Sequence, residues 1–272
     1  MNPKTETTGR RGESPYHSRA VSRALRILKS FTLDDFELSV GDLHDRLGIP
    51  KSTLVRLLQC MAAEGFVEHN AETSKYRLGI KLFELGSLYE KTRVMNVGAL
   101  SWPYMQELVE EFELSSNLAI RAGREIVYVR VAEPRGRQMR MAYSVGDRFG
   151  LHHTALGKAM MAFMPEEDRE ALVGSLELKA LTPKTICTVE GLHDEFTDIR
   201  DCGYAVDDEE SLPGLRCVAA PIWGADGVMA ALSLSGSTLE VSGETVETIA
   251  DAVTKTTRAI SVRLGGEEHV VH

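Results

Sequence analysis

The sequence predicts an α+β protein in two modules: a winged helix-turn-helix, then a larger domain of helices laid against a mainly antiparallel sheet. Three observations lead there. Between Ser39 and His69, two short apolar runs at helical spacing are split by Gly48-Ile49-Pro50. Beyond Ser115 the period shortens, β-branched residues gather and glycine turns punctuate the chain. The charge is also divided. Through Arg93 the chain carries 15 basic and 12 acidic residues, a balance of +3; 16 basic and 28 acidic residues follow, a balance of −12 that completes the net −9. A mildly basic head on an acidic body suits a DNA-reading module attached to a part that does not touch DNA. So modest a balance implies that two or more heads act together.

A length of 272 residues favours two domains, each with its own core. Hydrophobic content of 43% and charged content of 26% are those of a globular protein. No apolar run approaches the ~18 residues of a membrane span, and no charged-then-apolar leader opens the chain, so a cytoplasmic protein with no membrane partner is expected. Cys60, Cys187, Cys202 and Cys217 are widely spaced and form no CxxC pair. Neither a disulfide framework nor a metal site is expected, and no cofactor. Cys60, Cys187 and Cys202 read as small buried hydrophobes.

Residues 1–17 are polar and aperiodic, which predicts a disordered tail whose Arg10-Arg11 pair would be solvated. A first helix spans Ser18 to Phe31 with Val21, Ala24, Leu25, Leu28 and Phe31 inward. In the next, Val40, Leu43 and Leu47 share a face, Ser39 and Asp42 make a capping pair and Gly48 stops the turn. Pro50 suits the first turn of the helix that follows, where Leu54, Leu57, Leu58 and Met61 form the apolar stripe. At 100° per residue, Ser52, Arg56 and Gln59 point the other way. Lys51, Ser52 and Thr53 in its first turn are placed to hold phosphates with the free backbone N–H groups. Arg56 and Gln59 can each pair bidentately with a base edge. Gly65 to Leu78 reads as a hairpin wing with Lys75 and Arg77 facing the DNA backbone. Residues 18–79 thus form the DNA-binding module, and 80–94 a linker helix whose Leu82, Phe83, Leu85 and Leu88 suggest dimerisation.

In the second module, residues 95–265, a helix runs Ala99 to Glu113 with Pro103 early in it. Asn117–Arg121 and Ile126–Val131 make a hairpin, and Met139–Tyr143 a third strand. A helix opens at His153-Thr154, another after Pro165, and a third runs Thr188 to Cys202, closed by Gly203. Cys217–Trp223 and Val228–Ser235 are strands joined by Ala225-Asp226-Gly227. Ser242 is expected to cap the last helix, and 266–272 is a tail. Ser233 and Ser235, two apart on one strand, put both hydroxyls on the same side. Helix N–H groups near Ala155 and Leu156 suit a carboxylate, and Met141, Tyr143, Leu156 and Trp223 offer apolar walls. The serines suit hydrogen bonds to backbone within a packed sheet equally well, and Asp207 equally suits a loop cap. Spacing alone does not show whether these features converge.

The motifs LGIPKSTLVRLL, LHHTALGKA, GYAVDDEESLPGLRCVAAPIW and MAALSLSG strongly resemble those of the IclR family of bacterial transcriptional regulators, in the family's order and spacing from about Arg19 to Leu264. The resemblance implies an N-terminal winged helix-turn-helix domain plus a C-terminal GAF-like effector-binding domain. It implies a homodimer or homotetramer bound to double-stranded operator DNA of palindromic sequence and responsive to a small organic acid, carboxylic or aromatic. Effector contacts carry over to Met141, Ala155, Leu156, Asp207, Cys217, Ser233 and Ser235. Relatives often have Gly-Ala where this chain has Ala155-Leu156, so the bulkier Leu156 would reshape the pocket. A rival reading is a cysteine-dependent hydrolase with Cys217 as nucleophile, His152 or His153 as base and Asp207 as orienter. No oxyanion hole is visible for it.

Overall fold

The computed structural model describes residues 18–32, 34–90, 93–136 and 143–266. The chain divides into two compact units, residues 1–89 and 90–272. The expected N-terminal tail with Arg10 and Arg11, residues 139–142 of the expected third strand, Met141 among them, and residues 267–272 lie outside the described residues.

In the first unit, helices α1 (Arg19–Leu28), α2 (Val40–Leu47) and α3 (Lys51–Ala63) precede a hairpin, β1 (Val67–Asn70) with β2 (Lys75–Leu78), and helix α4 (Ile80–Glu90). The capping box forms in full: Asp42 N–H donates to Ser39 Oγ at 3.2 Å and Ser39 N–H to Asp42 Oδ2 at 2.8 Å. Gly48 ends α2 at φ +64°, a left-handed position that a Cβ disfavours. Pro50 is the N-cap of α3, one position earlier than expected. Leu43, Leu54, Leu58 and Met61 fill the core with Ile27, Ile49 and Val67, and Leu57 packs at its edge. Leu38 exchanges backbone hydrogen bonds with Tyr76 at 2.8 and 2.9 Å, so the wing is fastened to the segment before α2. The expected inward face of α1 is only partly so. Ile27 is its buried residue, whereas Val21 and Leu25 are exposed.

The second unit has a six-stranded antiparallel sheet in the order β5-β4-β3-β8-β7-β6. Its strands are β3 (Ser115–Ala122), β4 (Glu125–Ala132), β5 (Arg148–Gly150), β6 (Ala205–Asp208), β7 (Leu215–Gly224) and β8 (Gly227–Ser237). Helices α5 (Arg93–Phe112) and α9 (Val246–Arg263) bury Met105, Leu108, Ile249, Val253 and Ile260 against one face, which presents Leu118, Val218, Leu232 and Leu234. The other face presents Ala119, Ala205, Ala219 and Ala231 to α6 (Ala155–Ala162) and α8 (Val189–Cys202), with α7 (Glu166–Val173) between them in sequence. Small side chains here let α6 approach the sheet. The turn that leads into α6 requires glycine at 157, where an added Cβ would lie 2.3 Å from Leu151 O.

Several boundaries differ from expectation. Strand β5 replaces an irregular stretch, because three residues carry too little periodicity to be read. Pro103 lies inside α5, which begins at Arg93 and not near Ala99. Thr245 holds the N-cap position of α9 without a side-chain cap, while Ser242 sits in the turn before it and its backbone carbonyl accepts the Val246 N–H. Cys60, Cys187 and Cys202 are exposed, not buried. No helix of the described residues is long and apolar enough to cross a membrane.

Candidate functional site

On the first unit, Lys51, Ser52, Arg56 and Gln59 form an exposed strip along α3, with Thr53 half-buried at its margin. The apolar stripe is spent on the core, so this polar face has no intramolecular use. Thr53 N–H and Leu54 N–H already donate to Pro50 O, at 2.9 and 3.0 Å. The N–H groups of Lys51 and Ser52 have no acceptor among the described residues, which is the arrangement that suits a phosphate. Arg56 makes no hydrogen bond or ion pair among the described residues. On the wing, Arg77 donates to Glu68 Oε2 across the hairpin at 2.8 and 3.0 Å. Arg77 would have to leave that exposed pair to meet a phosphate, while the Ser39 backbone and side-chain hydrogen bonds hold the Asp42 carboxyl below its ordinary value, with half-buried Lys75 and then Arg46 adding to the effect.

On the second unit, sheet register brings distant residues together. Asp207 on β6 faces Cys217 on β7, and Cys217 faces Ser235 on β8. One row on, Ala219, Ser233 and Asn117 are aligned across β7, β8 and β3. Directly paired residues share a face, here the face covered by α6. The result is a cavity of about 270 Å³ lined by Ala155, Leu156, Asp207, Cys217, Ser233 and Ser235, the six described residues to which the resemblance carried effector contacts. Tyr128, Tyr143 and Phe149 form its aromatic wall, with ring centroids 5.3–5.4 Å apart. Trp223 does not belong to that wall; it packs edge-on against Phe163.

The polar lining falls into two parts. At the start of α6, Thr154 Oγ1 accepts the Gly157 N–H at 3.1 Å and Lys158 N–H returns to Thr154 O. The Ala155 and Leu156 N–H groups are left without an acceptor among the described residues. On the sheet, Asn117 Nδ2 donates to Ser235 Oγ at 3.2 Å, whereas Ser233 Oγ has no partner among the described residues. Asp207 accepts from the Glu210 and Ser211 N–H groups at 2.8 and 3.2 Å and from the Ser211 hydroxyl. It therefore does cap its loop, and it also lines the cavity. Burial raises its pKa, against the pull of those hydrogen bonds and of Lys158.

Sequence reading missed Tyr128, Phe149, Leu181, Ser211 and Leu212, all cavity-lining, and the supporting Asn117 and Lys158. Alternation along β4 flags Tyr128, and a lysine flanked by apolar residues in α6 is itself a signal. Leu181 and Leu212 lie on loops and carry none. Lys158 is 1% exposed; its Nζ donates to Glu195 Oε1 at 2.6 Å, to Val206 O at 2.7 Å and to the Glu210 carboxylate. It ties α6 to α8, to strand β6 that carries Asp207, and to the loop that follows β6.

The hydrolase constellation fails on this geometry. Burial, and then the Asp207 charge, push the Cys217 thiol far above the range in which a thiolate forms. His152 Nε2 is engaged with Lys179 O and His153 Nε2 with Gly150 N–H, at 3.1 Å each. Burial, with His152 and Lys158 adding, lowers the His153 pKa to about 4, partly offset by its own backbone carbonyl. Among the described residues, no cluster of His, Cys, Asp or Glu could hold a metal ion.

Comparison with known proteins agrees with both halves of this picture. Residues 20–71 match the IclR helix-turn-helix domain, and residues 90–262 the bacterial transcriptional regulator IclR C-terminal domain. The HTH-type transcriptional regulator XynR of Escherichia coli (strain K12) is 35% identical over 91% of this chain and 97% of its own length. The HTH-type transcriptional repressor AllR of Klebsiella pneumoniae is 31% identical over 91% and 90%. These relatives are regulators of transcription, not enzymes. The crystal structure of Thermotoga maritima IclR has 28% identity and a TM-score of 0.75 over 92% of this chain and 100% of that one. An IclR homolog from Microbacterium hydrocarbonoxydans, crystallised with 4-hydroxybenzoate, shares the fold at 22% identity and a TM-score of 0.78 over 90% and 98%. With both domain models matched in order across most of its length, this chain belongs to the IclR family of bacterial transcriptional regulators.

Proposed function

We propose that the chain is a ligand-responsive DNA-binding regulator. It reads a palindromic operator through α3 and the wing as a homodimer or homotetramer, and it senses a small organic acid in the cavity beside α6. The observation that carries this reading is the cavity itself. It is slightly below the ~300–1,000 Å³ of most small-molecule sites, has an aromatic wall, and offers unpaired N–H donors at a helix start. That lining suits a compact acid, preferably aromatic or hydroxylated: the carboxylate takes the helix end, and a hydroxyl meets Ser233, Ser235 or Asp207. Exposed Ile80, Phe83, Leu85 and Leu88 on α4 supply an apolar face for the second copy. Ligand binding then shifts the population between states of unequal operator affinity. Acting on DNA, the protein works in the cytoplasm.

The test is a thermal-shift screen of small carboxylic and aromatic acids, followed by mobility shifts on the chain's own promoter region at several salt concentrations. No acid stabilising the protein, or no promoter binding at low salt, overturns the reading. Within it, Arg56→Ala is expected to weaken operator binding by about 1–3 kcal/mol and to relax base preference at one position. Unchanged binding removes Arg56 from the readout. Ser235→Ala is expected to blunt the effector response while ligand-free DNA binding stays intact. If both fall together, Ser235 serves the fold by holding Asn117.

A further inference from the structure

Among the described residues that line the cavity, two carry a buried polar side-chain atom without a hydrogen-bond partner: Ser233 at Oγ and His153 at Nδ1. His153 is 7% exposed. The Gly150 backbone N–H donates to its Nε2 at 3.1 Å. A backbone N–H can only donate, so Nε2 keeps its lone pair and a neutral ring carries its proton on Nδ1. The lowered pKa of about 4 keeps the ring neutral at physiological pH. His153 therefore presents an Nδ1–H that makes no hydrogen bond among the described residues and only approaches its own backbone carbonyl, one residue from Thr154 and two from Ala155, where further N–H groups stand unmatched among the described residues.

Among the described residues, no lysine or arginine lines the cavity. The donors described there are neutral, which makes each of them matter. We infer that His153 Nδ1–H is a specificity-determining donor, joining the Ala155 and Leu156 N–H groups in a cradle that accepts a carboxylate and rejects the matching primary amide. A carboxylate offers only acceptors, two oxygens with about four lone-pair sites, so it can take three donors. A primary amide has one oxygen, which accepts from two of them, and turns its N–H₂ toward the third, leaving donor facing donor. This inference rests on the acid-sensing reading of the cavity and adds the residue and the chemical group that set its selectivity.

The experiment is calorimetry on the full chain with benzoate, 4-hydroxybenzoate, lactate and pyruvate and with their primary amides, using wild type, His153→Gln and His153→Asn. Asparagine places an N–H near the position of Nδ1. Glutamine instead places its amide oxygen near that of Nε2, where it can receive the Gly150 N–H. At least one acid is expected to bind wild type, about tenfold or more tighter than its amide. His153→Gln loses about tenfold in acid affinity, and His153→Asn stays within about threefold. Equal binding of acid and amide, unchanged affinity in His153→Gln, or a larger loss in His153→Asn than in His153→Gln overturns the inference and leaves the acid-sensing reading standing. If no acid binds wild type, that reading falls first and takes this one with it. Nitrogen-15 spectra of the ligand-free imidazole give an independent check: protonation on Nε2 at neutral pH also overturns it.

Discussion

Lys158→Met is expected to destabilise the second unit by about 3–5 kcal/mol, the usual cost of removing one partner from a buried ion pair. The Lys158 side chain is 1% exposed and that of Glu210 7%, so the carboxylate left behind has little access to water. Glu195, at 25%, can turn outward, but Glu210 and the Val206 carbonyl cannot be satisfied that way. Burial already raises the Glu210 pKa while Lys158 opposes it, so the variant should retain a proton on Glu210 to higher pH. The effect should reach the cavity as well, because Glu210 N–H donates to Asp207 Oδ1. Urea unfolding of wild type, Lys158→Met and Lys158→Met/Glu210→Gln measures this. The double variant should recover part of the loss. A single-variant cost below about 1 kcal/mol would mean that the carboxylates reach solvent and that the triad is not a fastening.

Stability is also expected to fall as pH drops from 6.5 toward 4, with His153 contributing about 2–3 kcal/mol of the change. Above its ordinary value of 6.5 the ring is neutral both folded and unfolded, and the contribution is whole. Below 6.5 the unfolded chain binds a proton that the folded chain refuses until about pH 4, so the folded state loses ground throughout that window. His152, also lowered by burial, acts in the same direction. Asp207 and Glu210 act oppositely in acid, since their raised values favour the folded state once they protonate. The difference between wild type and His153→Gln isolates the ring: the variant should show a shallower loss between pH 6.5 and 4 in urea unfolding. Identical slopes would show that the His153 ring titrates like an exposed one.

The helix-turn-helix was legible because its signals are local. A capping box closes over four residues, a left-handed Gly48 stops a helix where it stands, and an apolar stripe at i, i+3, i+4 and i+7 fixes which side of α3 is left for a partner. The β7–β8 hairpin was legible for the same reason: two apolar runs flank a turn that ends at Gly227, where φ is +115°. Short β5 and the true start of α5 were not, since neither has a distinctive residue at its boundary.

The cavity divides differently. Ser233 and Ser235 share a face by strand geometry alone, and motif resemblance named Asp207, Cys217, Ala155 and Leu156. Their meeting required pairing across β6, β7 and β8, and α6 pressed onto a surface of alanines. Whether a polar side chain is satisfied is likewise a tertiary matter. Asn117 reaches Ser235 across 118 positions of sequence, Lys158 reaches Glu210 across 52, and His153 Nδ1 makes no hydrogen bond among the described residues. The sequence by itself determined the family, the two-module order and the outward face of α3, because these depend on residues a few positions apart. Only the tertiary structure decided which hydroxyls, amides and imidazole surround one cavity and which of them still lack a partner. Those depend on sheet register and burial, which no local pattern encodes.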